Sequence, residues 1–199
     1  MSIEIAQSVG RRVASALRPF DKLVVSWGDE DTYRRFRILE PSLVSCVDQH
    51  SDSHDTTIEY LLIKCLGEVA GIASLVTRVN THRPPHRSLY GRIDLVIVHE
   101  RFRGLGLGRV LTLVSVVHLL ETFDSRLYSI SCLAAHPAIE KILDSVGFVR
   151  REQGQKNYVH EELAIDPTKV GEFRDRMVSE TKAAARRANF NIRQRQNER

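Results

Sequence analysis

The chain has 199 residues, of which 42% are apolar and 27% charged, a composition that suits one domain with a sizeable core. Its longest nearly apolar stretch, residues 110–120, is too short to span a bilayer, and the N-terminus lacks the apolar segment of a secretory signal. Three unpatterned cysteines and a modest net charge of +4 therefore lead us to expect a cytoplasmic protein with free thiols and no membrane contact.

Hydrophobic periodicity and turn residues divide the chain into helices and strands. Residues 3–18 predict a short helix that Pro19 ends, and the acidic residues from Asp29 predict a second helix start. The polar residues 48–55 include two histidines four apart, but such a pair binds metal only on a helix, so we predict a solvated loop and no metal site. Strands are predicted at 23–27, 58–65, 69–79, 92–98, 127–134, 148–153 and 158–165, and further helices at 110–120, at 137–146 and from residue 169.

The most informative stretch, residues 92–120, is a predicted strand, a glycine-rich turn and an apolar helix. Glycines at every second position from Gly104 to Gly108 let a ligand approach the backbone, because they carry no Cβ atom. A helix that begins in such a turn points unpaired N–H groups and a partial positive charge toward the same place. The stretch therefore predicts a phosphate-binding turn.

Two common phosphate-binding motifs do not fit this turn. The nucleotide-hydrolase loop ends in Gly-Lys-Ser/Thr, whereas this turn ends Gly108-Arg109-Val110. The dinucleotide fingerprint needs a final glycine where the chain has Arg109 or Leu111. Both motifs are therefore excluded as the source of the phosphate ligand.

The turn instead resembles the signature of the GNAT N-acetyltransferase superfamily, Arg/Gln-x-x-Gly-x-Gly/Ala after a strand. Residues Arg103–Gly108 match that signature, and Val98 stands at the usual valine position. A second stretch, Pro137–Phe148, resembles the family helix that follows a strand and ends in Gly-Phe. The resemblance covers about residues 23–165.

The resemblance implies an α/β architecture, the GNAT acyl-CoA N-acyltransferase fold, with a mixed central sheet flanked by helices. We expect an N-terminal helix at 1–20, the GNAT domain at 21–166 and a basic helical C-terminal extension at 167–199. It also implies acetyl-coenzyme A as co-substrate and a primary amine of an unidentified acceptor. The implied cofactor-binding residues are Val96, Val98, Arg103, Gly104, Leu105, Gly106, Leu107, Gly108, Arg109 and His136.

Acetyl transfer needs a base, because a lysine-like amine with a pKa near ~10.4 is almost fully protonated at neutral pH. Asp94 has the same strand parity as Val96 and Val98, so we expect it on the ligand side as the base, with Glu100 as the second candidate. Tyr128 is expected to share a face of the next strand with Cys132 and to reach the leaving thiolate.

The chain departs from the family pattern at the second motif. Leu143 stands where the family often has a tyrosine general acid, and His136 stands where the helix usually begins with asparagine. The sequence therefore leaves two functions open, an acetyltransferase and a module of the same fold that binds coenzyme A without efficient turnover.

The C-terminal tail carries most of the positive charge. Residues 182–199 hold six cations and one acid, a net charge of +5, which leaves −1 for the other 181 residues. Clustered arginine could bind nucleic acid and steer an RNA- or ribosome-associated acetyltransferase, or the tail could be a solvated helix end. Its apolar residues could also pack on the domain or on a second subunit of a homodimer. We expect any packed part to end before Lys182, so that removing residues 182–199 leaves cofactor binding intact.

Overall fold

The computed structural model describes residues 23–39, 56–80, 88–134, 137–151 and 159–198. These parts of the chain contain seven strands and four α-helices. The strands are β1 (Leu23–Trp27), β2 (Thr56–Cys65), β3 (Glu68–Val79), β4 (Leu89–Val98), β5 (Leu127–Ala134), β6 (Val149–Arg151) and β7 (Val159–Ala164). The helices are α1 (Glu30–Arg37), α2 (Leu107–Phe123), α3 (Pro137–Val146) and α4 (Val170–Asn197).

The seven strands form one mixed sheet in the order β1-β2-β3-β4-β5-β7-β6. Only β4 and β5 are parallel; the other neighbouring pairs are antiparallel. This follows from the connections, because β4 and β5 are joined through α2, whereas a short turn at Leu66–Gly67 joins β2 to β3. Within the described residues, the predicted order of strands and helices is confirmed.

Each face of the sheet has its own apolar cluster. Helix α2 is buried along its length from Val110 to Leu120, because it lies between the sheet and α4. On the opposite face, Tyr33 and Phe36 of α1 pack against strand residues that include Leu95 and Ile97. Below, the face of the sheet that packs on α2 is called the α2 side, and the face that packs on α1 is called the α1 side.

The C-terminal helix α4 packs against α2 almost to its end, so the prediction that packing stops before Lys182 is wrong. The buried side chains follow a helical stripe, Met177, Thr181, Ala184, Ala185, Ala188, Asn189 and Ile192. Alanine gives little hydrophobic signal in a sequence, but it lets two helices approach closely. Removing residues 182–199 would therefore remove part of the core, and such a truncation cannot separate charge from folding.

The predicted helix at 3–18 and the predicted loop at 48–55 lie outside the described residues. The domain boundaries at residues 20 and 166 stay predictions. Within the described segments, no helix combines the length and the apolar character needed to cross a membrane.

Candidate active site

The candidate site begins where β4 and β5 separate. Their parallel pairing ends with Ile93 opposite Cys132. Beyond that pair, β4 continues to Val98 bonded to β3, and β5 continues to Ala134 bonded to β7. In the described part of the chain no strand pairs with the other edge of β4 over Asp94–Val98, so the backbone there faces an opening between two diverging strands.

A β-bulge lies at the point of separation. Across β3, Leu75 pairs with Ile93 and Ser74 with Leu95, which leaves Asp94 as the extra residue of β4. The alternation of side chains shifts at this residue. Val96 and Val98 pack on the α2 side with Ile93, whereas Leu95 and Ile97 pack on the α1 side.

Asp94 lies on the α1 side of the sheet. Its side chain is fully buried, and its Oδ1 atom is 3.2 Å from Nε of Arg92, two residues earlier on the strand. The prediction that Asp94 shares a face with Val96 and Val98 is therefore wrong, because the bulge breaks the two-residue period on which it was based.

The glycine-rich turn follows β4 directly. One turn of 3-10 helix, Glu100–Phe102, leads to Gly104 and Gly106, whose φ angles of 79° and 87° favour glycine. The first helical hydrogen bond of α2 runs from the Val110 N–H to the Gly106 carbonyl, at 3.2 Å. The N–H groups of residues 107–109 precede that bond and form the open N-terminus of a 17-residue helix.

The three glycines of the turn face different neighbours. A Cβ atom on Gly104 would lie 3.5 Å from Nη2 of Arg195, and one on Gly106 would lie 3.9 Å from Cβ of Ala188, so both positions face α4. A Cβ atom on Gly108 would lie 3.9 Å from Cγ2 of Val98, at the end of the open edge of β4. Only Gly108 of the three therefore faces the opening between the strands.

The two arginines of the turn bind within the protein. Nε of Arg103 donates to the Val98 carbonyl at 3.1 Å, across the base of the turn. Arg109 donates from Nη1 to Oγ of Ser145 at 2.8 Å, and its Nη2 lies 3.5 Å from Oε2 of Glu180. The side chain of Arg109 thus ties α2 to α3 and α4, and only its backbone N–H belongs to the open helix N-terminus.

Solved structures match the overall fold, although no family model and no curated protein matches the chain. A GNAT family acetyltransferase from Elizabethkingia anophelis with acetyl-CoA bound aligns at 15% identity and a TM-score of 0.51, over 73% of this chain and 99% of that chain. A GNAT family acetyltransferase from Streptococcus pneumoniae aligns at 15% identity and a TM-score of 0.50, over 72% of this chain and all of that one, 100%. A chain of the NatC complex bound to Gag peptide and CoA aligns at 15% identity and a TM-score of 0.50, over 73% of this chain and 99% of that chain.

The chain has the GNAT acetyltransferase fold. The predicted fold class is therefore confirmed, and the position where the family often has its tyrosine can be examined in the structure. Leu143 is fully buried in the core, and its carbonyl accepts hydrogen bonds from Gly147 and Phe148 at the end of α3. The side chain at this position packs in the core. His136 lies outside the described residues.

The other two predicted catalytic residues lie away from Asp94. Glu100 is exposed, beyond the end of β4. Tyr128 is the second residue of β5, at the opposite end of β4 from the turn, and its hydroxyl accepts a hydrogen bond from Nδ2 of Asn80 at 3.2 Å. The register of β4 and β5 shifts beside Tyr128, and its ring lies near that of Tyr90, tilted by 36° with the ring centroids 6.1 Å apart.

The prediction that Tyr128 and Cys132 share one face of β5 is also wrong, because the register between β4 and β5 shifts beside Tyr128. Cys132 is part of the core on the α2 side, whereas the Tyr128 ring meets a residue of the α1 side. The register shift between Leu89 and Tyr90 changes the alternation along β5, as the bulge at Asp94 does along β4.

Sequence reasoning missed one pair of hydroxyl groups. Tyr90 and Ser131 are hydrogen-bonded through their hydroxyls, and Ser131 lies directly opposite Arg92 in the parallel pairing. Burial raises the pKa of Tyr90 above its usual value of 10.0, more than the bond to Ser131 lowers it. The alternation of Tyr90, Arg92 and Asp94 along one strand was the available signal, because these side chains follow a period of two.

Proposed function

We propose that the protein is an N-acetyltransferase that moves an acetyl group from acetyl-coenzyme A to a primary amine. The observation that carries this proposal is the open edge of β4 leading directly into the open N-terminus of α2. Two of the matching proteins bind this kind of cofactor, the acetyltransferase from Elizabethkingia anophelis acetyl-CoA and the NatC complex CoA.

The backbone supplies both parts of a coenzyme A site. The edge of β4 over residues 95–97, along which no strand of the described chain pairs, fits the amide-bearing arm of the cofactor, which can hydrogen-bond there as an added strand. The N–H groups of residues 107–109 and the dipole of α2 fit its diphosphate. When bound, acetyl-coenzyme A supplies an activated acetyl thioester.

Asp94 is the residue to which we assign proton removal from the acceptor amine. It lies at the bulge where the strands separate, and its ion pair with Arg92 fixes the carboxylate on the α1 side. The buried hydroxyl of Ser74, opposite the bulge, has no hydrogen-bond partner within the described residues, so a water between the amine and Asp94 would find a polar neighbour there.

Tyr90 is the residue to which we assign proton donation to the leaving sulfur. Its hydroxyl reaches Ser131, one pair before the strands separate, and lies on the same side of the sheet as Asp94. Because its pKa is raised, the hydroxyl stays protonated throughout the physiological range. We assign no proton transfer to Glu100 or Tyr128.

The main alternative is a module of this fold that binds coenzyme A without efficient turnover. The buried Leu143 favours it, because the structure has a core residue where the family often has its acid. The charged and hydroxyl groups around the bulge favour the enzyme. Binding and turnover measured on the same variants separate the two.

The cofactor site is tested by Gly108→Leu. The new side chain would enter the opening beside Val98 without backbone strain, and leucine favours a helix over glycine. We expect the midpoint of urea unfolding to be unchanged or higher, while calorimetry shows acetyl-coenzyme A affinity lower by about 100-fold, which corresponds to ~2.7 kcal/mol. Gly171→Leu, a matched change in the first turn of α4 with open space around it, should bind like the wild type. Equal affinity in both variants would refute the site.

The catalytic assignments are tested by Asp94→Asn and Tyr90→Phe, with thiol release measured over a panel of polyamines, peptides and amino acids. Each change should lower kcat by about 100-fold with little effect on acetyl-coenzyme A affinity, since each removes a proton-transfer group. Tyr128→Phe is the matched control, because it removes a neighbouring tyrosine hydroxyl that bonds to Asn80 rather than to Ser131, and it should leave kcat within about threefold. If the wild type and all the variants bind acetyl-coenzyme A tightly but release no thiol with any acceptor, the result would favour the module that binds coenzyme A without efficient turnover.

A second candidate function, acetylation of an RNA-associated acceptor, is favoured by one surface of α4. Phe190 is 60% exposed, and Arg186, Arg187 and Arg193 lie within one helical turn of it, all exposed. Exposed aromatic rings flanked by arginine bind single-stranded RNA by stacking and by phosphate contact. We expect a labelled single-stranded RNA to bind with an affinity that falls steeply as salt rises.

The RNA surface is tested by charge reversal, because truncation would damage the core. Arg186→Glu with Arg187→Glu should reduce RNA affinity at least about tenfold and flatten the salt dependence. Lys141→Glu with Arg150→Glu makes the same change in net charge at exposed positions on α3 and β6, and should have a smaller effect. Equal losses in the two variants would mean that only overall charge matters, and this second function would then be dropped.

A further inference from the structure

We propose that the last turns of α4 are a built part of the cofactor site, with Arg195 and Asn191 as positioning residues that hold the glycine turn in its anion-binding form. This inference rests on the proposed function for the identity of the ligand. It goes beyond it by giving a role to a helix that lies about 90 residues away in the sequence from the turn.

Three alternate carbonyl groups of the turn are hydrogen-bonded by α4. Nη1 of Arg195 donates to the Arg101 carbonyl and its Nη2 to the Arg103 carbonyl, both at 3.2 Å. Nδ2 of Asn191 donates to the Leu105 carbonyl at 3.4 Å. One guanidinium thus bridges two carbonyls, and the amide binds the third.

These bonds decide where the N–H groups of the turn point. In a planar trans peptide, the carbonyl of one residue and the N–H of the next point in opposite directions. Holding the carbonyls of Arg103 and Leu105 toward α4 therefore turns the N–H groups of Gly104 and Gly106 away from it. A turn whose N–H groups point outward can bind an anion. If its peptide planes rotated freely in the unbound protein, binding would have to order them and would lose conformational entropy.

The packing around these bonds makes the contact close. Ala188 and Ile192 are buried. Ala188 lies against Gly106, because a Cβ atom added to Gly106 would be 3.9 Å from the Cβ atom of Ala188. Arg195 also places a positive charge beside Gly104, which offsets the negative end of the α4 dipole near the turn. The helix therefore contributes both shape and charge to the site.

Loss of the Arg195 side chain should not unfold the protein. A cavity of about 260 Å³ adjoins it, lined by Arg101, Phe102, Ile192 and Gln196 among others, so water can replace the guanidinium. Its two hydrogen bonds are to carbonyls that can accept from water. The effect of removing it should be confined to the turn.

Four variants of the full chain test the proposal. Arg195→Ala should weaken acetyl-coenzyme A binding by about tenfold or more in calorimetry, and Asn191→Ala by less, since it removes one bond. Arg195→Lys keeps the charge but cannot reach two carbonyls with a planar fork, so it should also bind weakly. Lys182→Ala, a change at an exposed cation of the same helix outside the surface proposed for RNA, is the matched control and should bind like the wild type.

Hydrogen exchange of the ligand-free proteins gives a second readout that does not depend on the cofactor. Arg195→Ala should speed exchange of the amides of residues 101–109, with the unfolding midpoint nearly unchanged, and Lys182→Ala should not. Unchanged exchange and affinity in Arg195→Ala, or full restoration by Arg195→Lys, would overturn the positioning role. If the wild type itself bound no acetyl-coenzyme A, the proposed function would fail, and the exchange data would still decide whether α4 holds the turn.

Discussion

The separation of β4 from β5 after Ile93 and Cys132 is the constraint on which the rest of the site depends. A parallel pair that stayed bonded to its ends would satisfy the backbone of β4 on both edges and leave no place for an extended ligand. Here β3 is hydrogen-bonded to one edge of β4 up to Val98, while β5 diverges from β4 and stays paired with β7. The open edge ends at the turn that begins α2, so backbone groups of two kinds, strand and helix terminus, meet in one opening.

The bulge at Asp94 and the helix α4 adapt this opening in different ways. The bulge places a buried carboxylate on the α1 side just where the strands diverge, while the flanking valines remain on the α2 side. Helix α4 acts from outside the sheet, because it packs on α2 and binds the carbonyls of the turn. Helix α4 thus has two different faces, one on which Arg195 bonds to the turn and one on which Arg186 and Arg187 are exposed.

The sequence predicted the fold well wherever local signals were strong. The strand at 127–134 and the helix at 137–146 have the predicted bounds, because Pro137 begins the helix and Gly147 ends it. The errors all depend on distant contacts. Every residue from Ile93 to Val98 except Asp94 is apolar, so no periodicity revealed the bulge, and the register that joins Tyr90 to Ser131 is set by a partner strand. The prediction that the packed part of α4 ends before Lys182 failed because the packing of its alanine stripe depends on the close approach of α2.

The most direct test of the central claim is an experimental structure of the wild-type protein with acetyl-coenzyme A. The account predicts the diphosphate within hydrogen-bond distance of the N–H groups of residues 107–109. It also predicts that the amide-bearing arm of the cofactor lies along the open edge of β4 over Asp94–Val98. A cofactor bound elsewhere on the protein, or a β4 edge closed by β5 with the turn free of phosphate, would contradict it.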